Sequence, residues 1–128
     1  MATTVLIVDD SKFAQWVTKR MIVALQPDWR CDEAHNADEA MARVSAGGVD
    51  VMLIDFNMPG ENGLVLVEKI RTLHPLMPIA VITPNVQHAL IARARALSAA
   101  FIPKAYTMED LRGFISGAAL RLRGKVPV

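Results

Sequence analysis

The chain has 128 residues, of which 52% are hydrophobic and 21% charged. That balance supplies material for one core of ordinary size and excludes a disordered acidic or basic chain. The formal net charge of +1 lacks the basic excess of a dedicated nucleic-acid binder, so no direct nucleic-acid partner is expected. Cys31 is the single cysteine, so no internal disulfide can form, which suits a reducing compartment. The N-terminus has no basic region, apolar core or cleavage pattern of an export signal, and no apolar run reaches the ~18 residues that suggest a membrane span. A cytoplasmic protein without a membrane partner is expected.

In chain order, short apolar runs alternate with helical patterns. Val5-Leu6-Ile7-Val8 is the first run and ends at Asp9 and Asp10; a helix is predicted over Ser11 to Leu25, followed by Pro27. Trp29 to Ala34 is a weaker strand, and Ala37 to Ala46 is a second helix stopped by Gly47-Gly48. Val51-Met52-Leu53-Ile54 ends at Asp55, and Gly63 to Leu73 is helical. Ile79-Ala80-Val81-Ile82 ends at Thr83. A helix over Val86 to Leu97 follows, with Asn85 as its N-cap and Val86, Leu90, Ala94 and Leu97 on one face. Ala100 to Ile102 is a weaker strand, and Met108 to Leu122 is the clearest helix. Its stripe is Leu111, Phe114, Ile115, Ala118 and Leu122, and Thr107 with Asp110 forms a capping-box start. Runs that are apolar at every position suit strands covered on both faces. Five β-α units therefore predict an α/β domain with a parallel sheet, helices on both faces and right-handed crossovers. Residues 1–123 are expected to form one domain and 124–128 a short tail.

In an open α/β sheet, ligands bind beyond the carboxyl ends of the strands. The residues at those ends are Asp9, Asp10, Asp55, Thr83 and Lys104. Clustered carboxylates call for a cation, and a hard divalent ion such as Mg2+ takes such oxygens while keeping several waters. A carboxylate is also a nucleophile in enzymes that form aspartyl-phosphate. A lysine and a hydroxyl can bind phosphoryl oxygens as charge develops on them.

Asp9-Asp10, Asp55 followed by Met58-Pro59 and Gly63, then Thr83 and Lys104, together resemble the signature of the CheY-like response regulator receiver domain. The resemblance covers about Thr4 to Leu122. It implies a flavodoxin-like (βα)5 fold with a five-stranded parallel sheet in the order 2-1-3-4-5. It further implies that Asp55 is the phosphoacceptor and that Asp10 and Asp55 bind Mg2+, with Asp9 assisting and Asn57 contributing its backbone carbonyl. Lys104 and Thr83 would hold the phosphoryl group, and Phe101, three residues before the lysine, would take the switch-aromatic position. The implied partners are a histidine kinase or phosphotransfer protein, and a downstream protein target or an output domain outside this chain. Such a domain catalyses only its own phosphorylation and dephosphorylation, and its helix 4/strand 5/helix 5 face changes on phosphorylation.

Three positions depart from the family pattern. Pro84 stands where a small residue usually follows the Thr, and it has no N–H to offer a phosphoryl oxygen. Ala105 replaces the proline that commonly follows the lysine behind a cis bond; before a non-proline that bond costs ~2.5 to 4 kcal/mol, so a trans bond with a rearranged loop is expected. Leu97 replaces a glycine often found at the end of helix 4. These changes make a receiver-like binding scaffold with atypical or phosphate-independent switching the alternative function. A phosphatase of the haloacid-dehalogenase type would need an acid two residues after the nucleophile, and that position is Asn57. His35, His74 and His88 show no metal spacing. Arg93 and Arg95 are read as a solvated face of helix 4.

Overall fold

The computed structural model describes residues 2–58, 60–84, 87–104 and 106–123. Five strands alternate with five helices: β1 (Thr4–Val8), α1 (Lys12–Leu25), β2 (Arg30–Ala34), α2 (Ala37–Ala46), β3 (Val51–Asp55), α3 (Gly63–Leu73), β4 (Ile79–Thr83), α4 (His88–Ala96), β5 (Ala100–Pro103) and α5 (Met108–Arg123). The sheet is parallel throughout, in the order β2-β1-β3-β4-β5, as the flavodoxin-like expectation requires.

The runs that are apolar at every position explain the layering. Successive side chains of a strand point to opposite faces, so each run feeds two cores. Leu6, Val8, Met52, Ile54, Ile79 and Val81 pack with residues of α2, α3 and α4 on one face. Val5, Ile7, Val51, Leu53, Ala80 and Ile82 pack with Ile22 of α1 and Leu111, Ile115 and Ala118 of α5 on the other. Burying a Val, Leu or Ile side chain contributes about 1.5–3 kcal/mol, so these fully buried central strands anchor the sheet, and their carboxyl ends carry the candidate site.

Local chemistry sets the helix starts. Ser11, Asn36 and Asn62 are N-caps whose side chains accept from Ala14, Glu39 and Val65 backbone N–H groups. Thr107 and Asp110 form the expected reciprocal box: Asp110 N–H donates to Thr107 Oγ1 at 3.3 Å and Thr107 N–H donates to Asp110 Oδ2 at 2.9 Å. The fourth helix departs from expectation. It starts at His88, with Gln87 as an N-cap that makes no side-chain capping bond. The expected Asn85 cap and Val86 lie outside the described residues, as do Pro59, Ala105 with the bond joining it to Lys104, and the 124–128 tail. A Pro two positions before Val86 is one reason for the late start, because Pro84 has no N–H and restricts the residue before it.

Leu97, expected as an oddity for want of a glycine, has φ −94° and strains nothing. The left-handed residue is Ser98, at φ 56°. Ala99 N–H donates to Ala94 O at 2.8 Å and Ser98 N–H to Arg95 O at 2.9 Å, which closes the helix by a Schellman pattern. Arg71 braces this turn from α3. Its guanidinium donates to Leu97 O (2.6 Å), Ser98 O (3.0 Å), Met77 O (2.6 Å) and His74 O (3.1 Å). No described helix is long and apolar enough to cross a membrane.

Candidate phosphoacceptor and cation site

The site is assembled by strand ends and the loops that leave them. β1 delivers Asp9 and Asp10, β3 ends on Asp55, β4 on Thr83, and Lys104 follows β5. Parallel register aligns them: Val8 lies opposite Ile54, Asp55 opposite Ile82, and Thr83 opposite Pro103. Asp9, Asp10 and Asp55 each place a carboxylate oxygen within 4.8 Å of the others. Lys104 Nζ lies 3.2 Å from Asp55 Oδ2. Four of the expected residues, far apart along the chain, are thus brought into one cluster.

Burial differs sharply among them. Asp55 is 3% exposed and Thr83 fully buried, whereas Asp10 is exposed and the Lys104 side chain is 41% exposed. The buried Asp55 is therefore flanked by two more exposed charged side chains, Asp10 and Lys104. Asn57 N–H donates to Asp55 Oδ1 at 3.2 Å, so the structure shows its amide engaged with the Asp55 carboxylate. Thr83 O accepts from Lys104 N–H at 2.8 Å, which ties the loop carrying the lysine to the end of β4. Phe101, on β5 opposite Val81, is half-buried against the core face shared by α2, α3 and α4.

Asp9 is 9% exposed, and its carboxyl pKa is raised. Burial is the main cause, and the charges of Asp55 and Asp10 add to it; the Ser11 N–H, which donates to Asp9 Oδ1 at 2.9 Å, and the Lys104 ammonium oppose it. Three carboxylates against one ammonium make a site short of positive charge. That donor set of clustered oxygens fits a receiver-type Mg2+ site and the coordination habits of the ion.

Two further features support the site: Gly63, which the sequence offered as part of the signature without a stated role, and Gln15, which it did not offer. Gly63 opens α3 directly under the end of β3. A Cβ there would lie 2.8 Å from Asp55 O and 2.9 Å from Phe56 Cα, so only glycine lets the helix start this close. Gln15 of α1 is fully buried behind Asp9; its signal in the sequence is only a polar residue at a position on the inward stripe with Thr18 and Ile22.

Comparison with known proteins agrees with this geometry. The family model for the response regulator receiver domain matches residues 5–116. The DNA-binding transcriptional regulator NtrC of Salmonella typhimurium is 26% identical over 115 residues, covering 89% of this chain and 24% of that protein; the chain thus spans about a quarter of that relative's length. A CheY-like receiver domain protein from Methanospirillum hungatei superposes with a TM-score of 0.86 at 23% identity, covering 97% of this chain and 99% of the other. The response regulator TrrA from Thermotoga maritima, solved in complex with Mg2+ and BeF, superposes with a TM-score of 0.80 at 22% identity, covering 91% and 98%. With five strands in receiver order and the acids gathered at their carboxyl ends, the chain belongs to the response regulator receiver domain family.

Proposed function

We propose that the chain is the phosphoacceptor switch of a two-component phosphorelay, with Asp55 as the acceptor. The observation that carries this reading is the buried Asp55 carboxylate with Lys104 Nζ at 3.2 Å and the Asp9 and Asp10 carboxylates beside it. A carboxylate nucleophile with a cation-seeking flank and an ammonium beside it suits phosphoryl transfer. The Mg2+ found with TrrA supports the same ion here. Asp10 and Asp55 would hold it, with Asp9 assisting and the Asn57 backbone carbonyl contributing. When bound, the ion neutralises charge on the phosphoryl oxygens.

In the transfer, an Asp55 carboxylate oxygen bonds to phosphorus as the phosphorus–nitrogen bond of a donor phosphohistidine breaks, and the donor imidazole takes up a proton. Lys104 pairs with a phosphoryl oxygen, and the Thr83 hydroxyl hydrogen-bonds another. The phosphoryl group adds about 1.5 to 2 negative charges. Lys104 and Thr83 then gain a partner that biases the β4–α4 loop inward, Phe101 turns into the space released, and the α4/β5/α5 face changes for partner binding. This is a population shift between two states. The donor is a histidine kinase or phosphotransfer protein, and output passes to a protein target or to a domain outside this chain. The receiver unit is residues 1–123, working in the cytoplasm.

One observation favours a second reading. Pro84 follows Thr83 and lacks an N–H, so a donor to the phosphoryl group is missing, and a receiver-like scaffold working without phosphate is the alternative. One experiment separates the two. Incubation with a small phosphodonor and Mg2+, followed by intact mass, should add one phosphoryl group to the wild type and none to Asp55→Asn. No mass gain on the wild type sinks the phosphoacceptor reading and leaves the scaffold.

A further inference from the structure

Gln15 sits on α1, six residues after Asp9, and is 0% exposed. Its Nε2 donates to Asp9 O at 2.8 Å and to Ala34 O at 3.0 Å. Ala34 O also accepts from Asp9 N–H, at 3.0 Å. One carboxamide therefore clasps the end of β1 to the end of β2, directly behind the acidic pair. Turning the amide over would aim Oε1 at two carbonyl oxygens, so the two acceptors fix its orientation. The consequence is that Oε1 is buried with no hydrogen-bond partner among the described residues. A buried acceptor left unpaired is unfavourable, and an unbranched apolar side chain would fill the same space without it. Packing therefore does not account for an amide at this position, whereas its two donated bonds do.

The carbonyl that Gln15 holds belongs to the peptide unit joining Asp9 to Asp10. Fixing that oxygen fixes the plane of the peptide, because the unit is rigid, and so sets the direction in which Asp10 leaves the strand. The Asp9 carboxylate is separately turned by Ser11 N–H. We infer that Gln15 is a positioning residue for the divalent-cation site, presetting the Asp9–Asp10 loop so that the exposed Asp10 carboxylate meets Asp55 across the ion. This rests on the reading of the acidic cluster as a Mg2+ site. Groups that orient ligands from behind commonly carry about 10–100-fold of metal affinity.

The test compares wild type, Gln15→Met, Gln15→Leu and Ile22→Val. Mg2+ affinity is measured by calorimetry and the metal-free thermal midpoint by melting. Gln15→Met should bind Mg2+ about 10-fold more weakly, with a midpoint near that of wild type, since it removes the orphaned Oε1 but also takes a donor from Asp9 O. The Mg2+ concentration giving half-maximal phosphorylation should rise in step, with the rate at saturating Mg2+ unchanged. Ile22→Val, a purely apolar truncation on the same inward stripe, should lower the midpoint and leave Mg2+ affinity alone. Gln15→Leu repeats the measurement with a different shape should the methionine variant fold poorly. Unchanged Mg2+ affinity in the Gln15 variants overturns the inference, as does a loss that merely tracks a fall in midpoint. A wild type that binds no Mg2+ overturns the cation-site reading itself, and the inference with it.

Discussion

At Asp9, burial and neighbouring carboxylates push one way while the Ser11 amide and Lys104 push the other, and burial wins. The folded pKa is above the unfolded one, so folding favours the protonated acid. The stability this contributes is present below the unfolded value and is lost as pH rises through the folded value. At neutral pH without divalent ions, the ionised Asp9 is a net cost. Asp9→Asn should then raise the thermal midpoint at pH 7, and a gain of about 1 kcal/mol corresponds to roughly 3–6 °C for a chain of this size. The advantage should shrink in melts run below the ordinary carboxylate range, near pH 3. A variant that melts lower than wild type at pH 7 would show that the charge is not the cost. Gly63 is the steric counterpart. Since an added Cβ meets backbone atoms of Asp55 and Phe56 at under 3 Å, neither neighbour can step aside cheaply. Gly63→Ala should cost about 1–3 kcal/mol in urea unfolding and lower the phosphorylation rate by displacing Asp55.

The element with least support is α4. It is 9 residues long, buries only Ala94, and lacks a side-chain cap, whereas α3 buries five residues and is capped by Asn62. Its C-terminal turn depends on a non-glycine left-handed residue, Ser98, and on carbonyls held by Arg71. Few buried contacts and a weak start make α4 a low-stability unit, the kind from which moving elements are drawn. The β4–α4 loop begins at Pro84, which is exposed and offers no N–H to the proposed phosphoryl site. Pro84→Ala restores a donor where charge develops. Phosphoryl gain from a small donor should become faster by roughly 10-fold or more, since one such donor commonly carries that much or more in rate. Timing both gain and loss of the phosphoryl group by intact mass checks this, and unchanged rates would remove the proline from the account.

Across the whole molecule, the proposed cation site makes folding and ion binding one equilibrium. The unfolded chain cannot hold Asp9, Asp10 and Asp55 within a few ångströms, so an ion that binds only the folded state stabilises it. At 100 times the dissociation constant the gain is about 2.7 kcal/mol. Mg2+ should therefore raise the thermal midpoint of wild type in a saturable way. Asp10→Asn should lose most of that rise, while Arg95→Ala, on the exposed face of α4, should keep it. A midpoint indifferent to Mg2+ would count against the site.

The sequence by itself determined the alternation of five strands and five helices, because a strand covered on both faces must be apolar at every position and a surface helix only on one stripe. Val51-Met52-Leu53-Ile54 and the stripe of α5 could be read for that reason, and the acids were legible because each closes such a run. The α4 start was not legible: Val86, Leu90, Ala94 and Leu97 keep helical spacing, yet the helix begins at His88, since periodicity records which side is apolar and not where capping and a preceding proline allow the first turn. Only the tertiary structure decided which polar groups meet. Gln15 with the carbonyls of Asp9 and Ala34, Arg71 with four carbonyls from two loops, and Thr18 Oγ1 with Tyr106 OH at 2.5 Å join residues whose separation along the chain carries no trace of their contact. Such pairs are set by how helices settle on the sheet. A hydrogen bond needs its partners within a few tenths of an ångström, a tolerance that packing of the whole molecule meets and local pattern does not encode.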